Sequence, residues 1–414
     1  MSKVVLAYSG GLDTSVAIRW LQEKYGLEVI ALTIDLGNER KLDEIRDRAL
    51  QIGATKALVY DARQEFVDYF VWPSLQAGTM YEGEYPLATA LGRPLIAWLL
   101  VNIAREEGAT AIAHGSTGKG NDQVRFDVST HALAPELQII APVREWKMTR
   151  DEEIAYAHAN NIPIPVTIDS PYSTDVNLWG RSIEAGKLED PWTEPPEECY
   201  EWTVSPDRAP ADPAYLELEF EQGIPRALNG IELDGVELIS QLNELAGAHG
   251  VGRIDHVENR LVGIKSRELY EAPAGVLLHK AHAALETLTL SKDQARFKQF
   301  VAQQISEQVY NGLWFSVLHE DLRAFVLSTQ RCVTGTVRMR LHRGTCAVVG
   351  RKSPQSLYSH ELATYDKADQ FDHHAALGFI KLHGLPLVTQ ARVQALTAGA
   401  QRSALMPPRM KTTE

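Results

Sequence analysis

Cysteine is scarce in this chain. Cys199, Cys332 and Cys346 are the only three among 414 residues, and they are far apart with no C-x-x-C pair. An odd, scattered set excludes a disulfide framework and gives no zinc pattern, so three reduced thiols in or near cores are the simplest reading. Long apolar runs are missing as well. The most apolar stretch, Pro94 to Ala104, stops at Arg105, short of the ~18 residues a membrane helix needs. Met1 to Ala7 is too short for a signal peptide, and a soluble, cytoplasmic chain is expected. Basic residues do not dominate either. With 41 Lys plus Arg against 54 Asp plus Glu, the formal net charge is −13, which opposes broad attraction to a polyanion. What is present is an ordinary globular composition, 44% hydrophobic and 23% charged, over a length suited to two or three domains of roughly 150 residues each.

The first third alternates β-rich and helical segments. "KVVLAYS", "EVIALTIDLG", "KALVYDA", "TAIAHGS" and "LQIIAPVREW" read as strands. "DTSVAIRWLQEKYG", "NERKLDEIRDRALQIGA" and "RQEFVDYFVW" read as helices, and "RPLIAWLLVNIAREEGA" as a helix opening near Pro94. "TRDEEIAYAHANN" is a further helix, with Thr149 placed to cap it. This rhythm predicts an α/β fold, a doubly wound parallel sheet covered by helices on both faces. Proline and turn residues then crowd the chain from about Pro163, followed by the alternating strand "YLELEFEQG", long helices, and a hairpin around "HRGT". We expect a nucleotide-binding domain over 1–165, an α+β domain over 166–364, and an amphipathic helical tail over 365–414 that packs on the body or on another subunit. No internal repeat stands out.

The stretch "AYSGGLDTS", Ala7 to Ser15, carries the chemistry. A strand followed by Ser9-Gly10-Gly11 and a helix beginning near Asp13 or Thr14 is the geometry of an anion site. The glycines let bare N–H groups approach an oxyanion, and the helix N-terminus adds partial positive charge. The plainer reading is a tight βα turn capped by Asp13 or Thr14. It is not a Walker A loop, because neither this stretch nor "GSTGKGND" satisfies G-x-x-x-x-G-K-S/T, and it is not G-x-G-x-x-G.

The stretch resembles the S-G-G-x-D-S/T-S loop of the PP-loop ATP pyrophosphatases. That resemblance implies a loop holding the β and γ phosphates, cleavage of ATP between α and β, and an adenylated intermediate. Within that superfamily, the thiolases' cysteine pair does not appear, an amidotransferase would need a glutaminase domain or partner, and Ser2 after Met1 does not fit the N-terminal cysteine nucleophile of asparagine synthetase. "MYEGEYPLATALGRPLIA", "HGSTGKGNDQVRF", "YSTDVNLWGRSIEAG" and "GVGRIDHVENRLVGIKSRELYEAPAG" resemble, in order, the blocks of the argininosuccinate synthase family. The likeness continues through "NGLWFSVL" and, more weakly, "AALGFIKLHGLP".

The resemblance implies an ATP-dependent ligase joining citrulline to aspartate through a citrullyl-adenylate, with Mg²⁺ accompanying the nucleotide, and a homotetramer. It assigns ATP to Ala7, Tyr8, Ser9, Gly10, Gly11, Leu12, Asp13, Thr14, Ser15, Ile34 and Gly115, and aspartate to Thr117, Asn121 and Asp122. Citrulline falls to Tyr85, Asn121, Arg125, Ser173, Ser182, Glu258 and Tyr270. Ser9, Asp13 and Asp122 are the catalytic candidates. In this chain Ala90 stands where the family often has a citrulline-contacting serine, and Ile34 where a small residue usually lines the adenine site. Another adenylate-forming ligase of the superfamily, or a nucleotide-binding regulator, are the competing readings. His279, His282 and the His373-His374 pair show no metal pattern and read as structural or solvated.

Overall fold

The computed structural model describes residues 2–37, 41–163 and 172–395. Its first sheet is wholly parallel: β1 (Lys3–Ala7), β2 (Glu28–Asp35), β3 (Lys56–Asp61), β4 (Ala111–Ala113) and β5 (Gln138–Ile140), in the order β3-β2-β1-β4-β5. Val5 of β1 lies opposite Ile30 of β2 on one side and Ile112 of β4 on the other. Val4, Val5 and Leu6 are all buried, as a strand covered on both faces demands. Strand order reverses around β1 and β4, so the crossovers leave in opposite directions and open a crevice beyond the strands' carboxyl ends. The sheet is the doubly wound one expected.

Three local expectations need correction. The helix bearing Pro94 begins earlier, at Ala88, and runs to Glu107 with proline inside it. Proline there leaves the Ala90 carbonyl without its helical partner, yet Leu91, Leu95, Leu99 and Leu100 are buried around it, and that burial outweighs one missing hydrogen bond. The helix after β1 starts at Leu12, and neither Asp13 nor Thr14 caps it; Gly11 stands at the cap position with no side-chain bond. "LQIIAPVREW" is strand only through Ile140, and Pro142–Trp146 turns helical. Thr149 does cap its helix, accepting from the Glu152 N–H while Glu152 accepts from the Thr149 N–H at 2.7 Å.

Among the described residues nine further strands follow: β6 (Ser173–Asn177), β7 (Gly180–Glu184), β8 (Ala214–Glu221), β9 (Ile224–Leu228), β10 (Ile231–Glu232), β11 (Arg253–Asn259), β12 (Lys265–Glu271), β13 (Gly335–His342) and β14 (Thr345–Lys352). They form two antiparallel sheets, β11-β12-β7-β6 and β10-β9-β8-β13-β14. β8 alternates buried and exposed residues as its sequence does. β13 and β14 turn at Arg343 and Gly344, both with φ positive (44° and 80°), the two-residue hairpin turn anticipated at "HRGT".

Val5, Leu91, Leu218, Leu277 and Met339 belong to one apolar core, so the parallel sheet and the later sheets are joined by continuous packing. The chain to Leu357 is one compact unit, and a second begins at Tyr358. Within the second, the His373–His383 helix carries Leu377, Phe379 and Ile380 exposed. The expected domain boundary near 165 and the tail beyond Ala395 lie outside the described residues. No helix among those described is long and apolar enough to cross a membrane.

Candidate active site

The turn after β1 needs glycine at position 10. Gly10 sits at φ +76°, and a Cβ on it would stand 3.0 Å from Ile45, so only glycine fits both the conformation and the space. Its carbonyl accepts from Arg48 Nη1 at 2.8 Å, which ties the turn to the Leu42–Ile52 helix. Ser9 Oγ and Thr14 Oγ1 lie 3.2 Å apart across the mouth of the turn, and the Gly11 N–H points to Ser9 Oγ at 3.4 Å. Because no side chain caps the Leu12–Tyr25 helix, the amides of its first turn lack any intrahelical or capping acceptor, and the positive end of the helix opens on the crevice.

That crevice is a cavity of about 850 Å³. Ala7, Tyr8, Ser9, Gly11, Leu12, Asp13 and Thr14 line it, together with Ile34, Gly115, Asp122 and Ser173. Gly10 and Ser15 stand behind its wall: Ser15 is buried, 3.2 Å from the Tyr8 hydroxyl. Asp13 shares a hydrogen bond with Glu153; burial first, then that neighbouring carboxyl, push Glu153 up to about 8. Gly115 follows β4, where a Cβ would lie 3.0 Å from Thr14, so the two loops that frame the cavity touch. His114 orients the second of them. Its Nδ1 accepts from the Ser116 N–H at 3.2 Å, and its Nε2 faces Asp127 at 2.8 Å, which also holds Arg144 at 2.9 Å.

A second, smaller cavity of about 100 Å³ adjoins it. Tyr85, Asn121, Asp122, Arg125, Ser182, Glu258 and Tyr270 line this one, so six of the seven residues expected at citrulline meet here, and Ser173 faces the larger cavity. Thr117 lines neither and is exposed. Ala90 is buried in its helix. Tyr85 and Tyr270 stack at 4.0 Å, and the Tyr85 hydroxyl lies 2.7 Å from Thr89 Oγ1. Arg125 is buried and gives Nη1 to Asp122 at 3.1 Å, while its buried Nη2 finds no hydrogen-bond partner among the described residues. A buried guanidinium N–H left open in this way fits an incoming carboxylate.

Asp122 and Asp175 line both cavities. Arg93 joins them, donating to Asp122 at 2.7 Å and pairing with Asp175. Burial alone would raise the Asp122 carboxyl, but the guanidiniums of Arg93 and Arg125 outweigh it and hold the group down at about 2. Also lining the smaller cavity, Glu184 and Glu268 both pair with Arg260. Burial and then the second carboxylate raise Glu268 to about 8.

Arg93, Asp175, Arg260, Glu268 and Tyr310 escaped the sequence reading as site residues. The first four lie inside the quoted blocks "GRPLIA", "YSTDV" and "ENRLVGIKSRE", where a charge amid polar residues was the available signal. Of the histidines left aside, His373 and His374 are exposed, and the other two are buried. His279 and His282 are buried on the Pro273–Thr289 helix, His282 paired with Gln330 at 2.8 Å, and burial lowers His279 to about 3. Among the described residues no group of three or more His, Cys, Asp or Glu is placed to hold a metal ion.

An anion-binding turn at the switch point of a parallel sheet, opening on a cavity that meets a charged, aromatic-walled pocket, defines a nucleotide-binding α/β enzyme. Residues 3–163 match the arginosuccinate synthase N-terminal HUP domain and 172–390 the arginosuccinate synthase C-terminal domain. The argininosuccinate synthase of Dehalococcoides mccartyi strain 195 is 61% identical over 392 residues, 95% of this chain and 97% of that one. Those of Symbiobacterium thermophilum and Brevibacillus brevis are 60% and 59% identical, over 95% and 94% of this chain and 98% and 93% of theirs. The chain belongs to the argininosuccinate synthase family. A solved U34-tRNA thiolase from Methanococcus maripaludis shares 18% identity over 40% of this chain and 60% of its own at a TM-score of 0.26, too slight a likeness to bear on the fold.

Proposed function

We propose that the two cavities carry out the family's ligation of citrulline to aspartate with ATP, a step of arginine biosynthesis. The observation that carries this reading is their meeting at Asp122, Asp175 and Arg93, which sets a nucleotide cavity against an amino-acid pocket at one point. In this reading the turn Ala7–Ser15, with Ile34 and Gly115, holds ATP. The ureido oxygen of citrulline attacks the α phosphorus, the α–β bond breaks, and pyrophosphate leaves. The aspartate amine then attacks the activated carbon, the C–O bond breaks, and AMP departs.

Ser9 and the first-turn amides receive phosphate oxygens. Thr117, Asn121 and Asp122 serve aspartate, with Asp122 kept anionic by its two arginines to accept from the ammonium group. Tyr85, Asn121, Arg125, Ser173, Ser182, Glu258 and Tyr270 serve citrulline, Arg125 Nη2 taking its carboxylate and Glu258 its N–H groups. The chemistry of the donor set fits Mg²⁺ entering with the nucleotide. Mg²⁺ draws most ligands from phosphate and water and needs only one or two carboxylates, and Asp13 supplies one in the larger cavity. The ion would offset phosphate charge.

Residues 1–165 thus act as the ATP domain, 166–364 as the amino-acid domain, and 365–414 as an assembly element of a cytoplasmic homotetramer. The apolar face of the His373–His383 helix supports that last role. Pyrophosphate release from ATP tests the reading: release is expected with citrulline, and argininosuccinate only when aspartate is added. No release with both amino acids present would overturn it.

A further inference from the structure

The C-terminal end of the Lys292–Tyr310 helix stands behind the wall of the smaller cavity, with Tyr310 outside its lining but bonded to residues that form it. The Tyr310 hydroxyl donates to Glu258 Oε1 at 2.6 Å and accepts from Asn121 Nδ2 at 2.8 Å. Its carbonyl, free of helical demand at the helix terminus, accepts from Arg125 Nε at 2.9 Å. The ring lies under the Arg125 guanidinium at 4.8 Å and stacks on Tyr81 at 3.5 Å. Gly312 makes the approach possible: a Cβ there would stand 2.8 Å from Arg125 Cα. One residue therefore touches three of the groups that line the pocket.

From this junction we infer that Tyr310 is the positioning residue of the citrulline pocket, orienting Asn121, Arg125 and Glu258 together; the inference rests on the function proposed above. With Tyr310 on Oε1 and Tyr270 on Oε2 at 2.5 Å, the Glu258 carboxyl is held from both oxygens, and its remaining lone pairs are directed rather than free to swing. The Asn121 amide is fixed likewise, since its Oδ1 accepts from the Leu261 N–H at 2.9 Å while Nδ2 gives one of its two N–H groups to Tyr310. The tyrosine pays no charge for this duty, because burial and the adjacent Glu258 hold its phenol protonated well above the usual range.

Tyr310→Phe keeps the ring, its stacking and the backbone carbonyl, and removes only the hydroxyl. The expected result is a citrulline KM and calorimetric Kd raised roughly tenfold, the cost of one charge-assisted hydrogen bond, with ATP affinity and kcat near wild type and the melting temperature lowered by only a few degrees. In a Glu258→Gln background the same change should shrink to about twofold, as coupled partners do. Unchanged citrulline binding in Tyr310→Phe overturns the assignment. So does a parallel fall in ATP affinity, kcat and melting temperature, which would give the hydroxyl a purely structural role. Wild-type protein that binds no citrulline overturns the underlying function and this assignment with it.

Discussion

Arg93 donates to Asp122 at 2.7 Å, and this pair forms the partition between the two cavities. Asp122 also receives Arg125 at 3.1 Å, so a single carboxylate neutralises parts of two guanidiniums, one facing each compartment. The arrangement concentrates fixed charge where, in the proposed reaction, AMP changes partners. Fixed dipoles and charges at such a point need no reorganisation during the step.

Replacing Asp122 with alanine is therefore expected to separate the two half-reactions. Aspartate-dependent turnover should fall by roughly a hundredfold or more, the scale of removing one preorganised electrostatic partner, while ATP affinity changes by less than about threefold. Equal losses in nucleotide titration and in turnover would count against Asp122 as the aspartate-facing group.

Gly10→Ala tests the turn. It forces a side chain into a left-handed backbone, which costs about 1–2 kcal/mol, and brings a Cβ to 3.0 Å from Ile45. Chemical denaturation should show that loss, and ATP binding should weaken at least tenfold as the turn shifts. Unaltered ATP binding would mean that the loop amides do not hold the nucleotide.

Glu268 sets a pH dependence of stability. Its carboxyl is raised from 4.5 to about 8 by burial and by Glu184, so between those values the folded chain keeps a proton that the unfolded chain has released. Stability should fall as pH rises through this window, with the full penalty present above about pH 8. Glu268→Gln copies the protonated form and should flatten that slope. Melting temperatures of the two proteins from pH 5 to 9 are expected to diverge with rising pH in favour of the variant; parallel curves would refute the shift.

Glu271 is a stability site next to Tyr270 on β12 that lines neither cavity. Fully buried on β12, it accepts from Arg181 and from the Glu201, Trp202 and Thr203 N–H groups at 2.8 to 3.0 Å. Glu271→Leu strands all of these donors and should cost about 3–5 kcal/mol, as breaking a buried ion pair does. A denaturant midpoint within error of wild type would disprove it.

The parallel sheet, the β13–β14 hairpin and the glycine turn were all legible in the residues. Each depends on neighbours a few positions apart: apolar runs such as "VVLA", the Arg343-Gly344 turn, and Gly10 beside Gly11. The start of the Ala88 helix was not legible, since Pro94 is a local stop signal that long-range burial overrides. Nor did the absence of a cap at Gly11 show, because serine, threonine and aspartate nearby all looked able to supply one.

What the sequence by itself determined is the kind of fold, the anion-binding turn and, through the resemblance of its motif blocks, the family. What only the tertiary structure decided is who meets whom. Arg93 finds Asp122 and Asp175 at 29 and 82 residues' separation, and Tyr310 finds Asn121 at 189. Local propensity and periodicity act over a turn or a strand, whereas these partners are brought together only once the shared core has folded and the low-dielectric interior obliges each buried polar atom to find another.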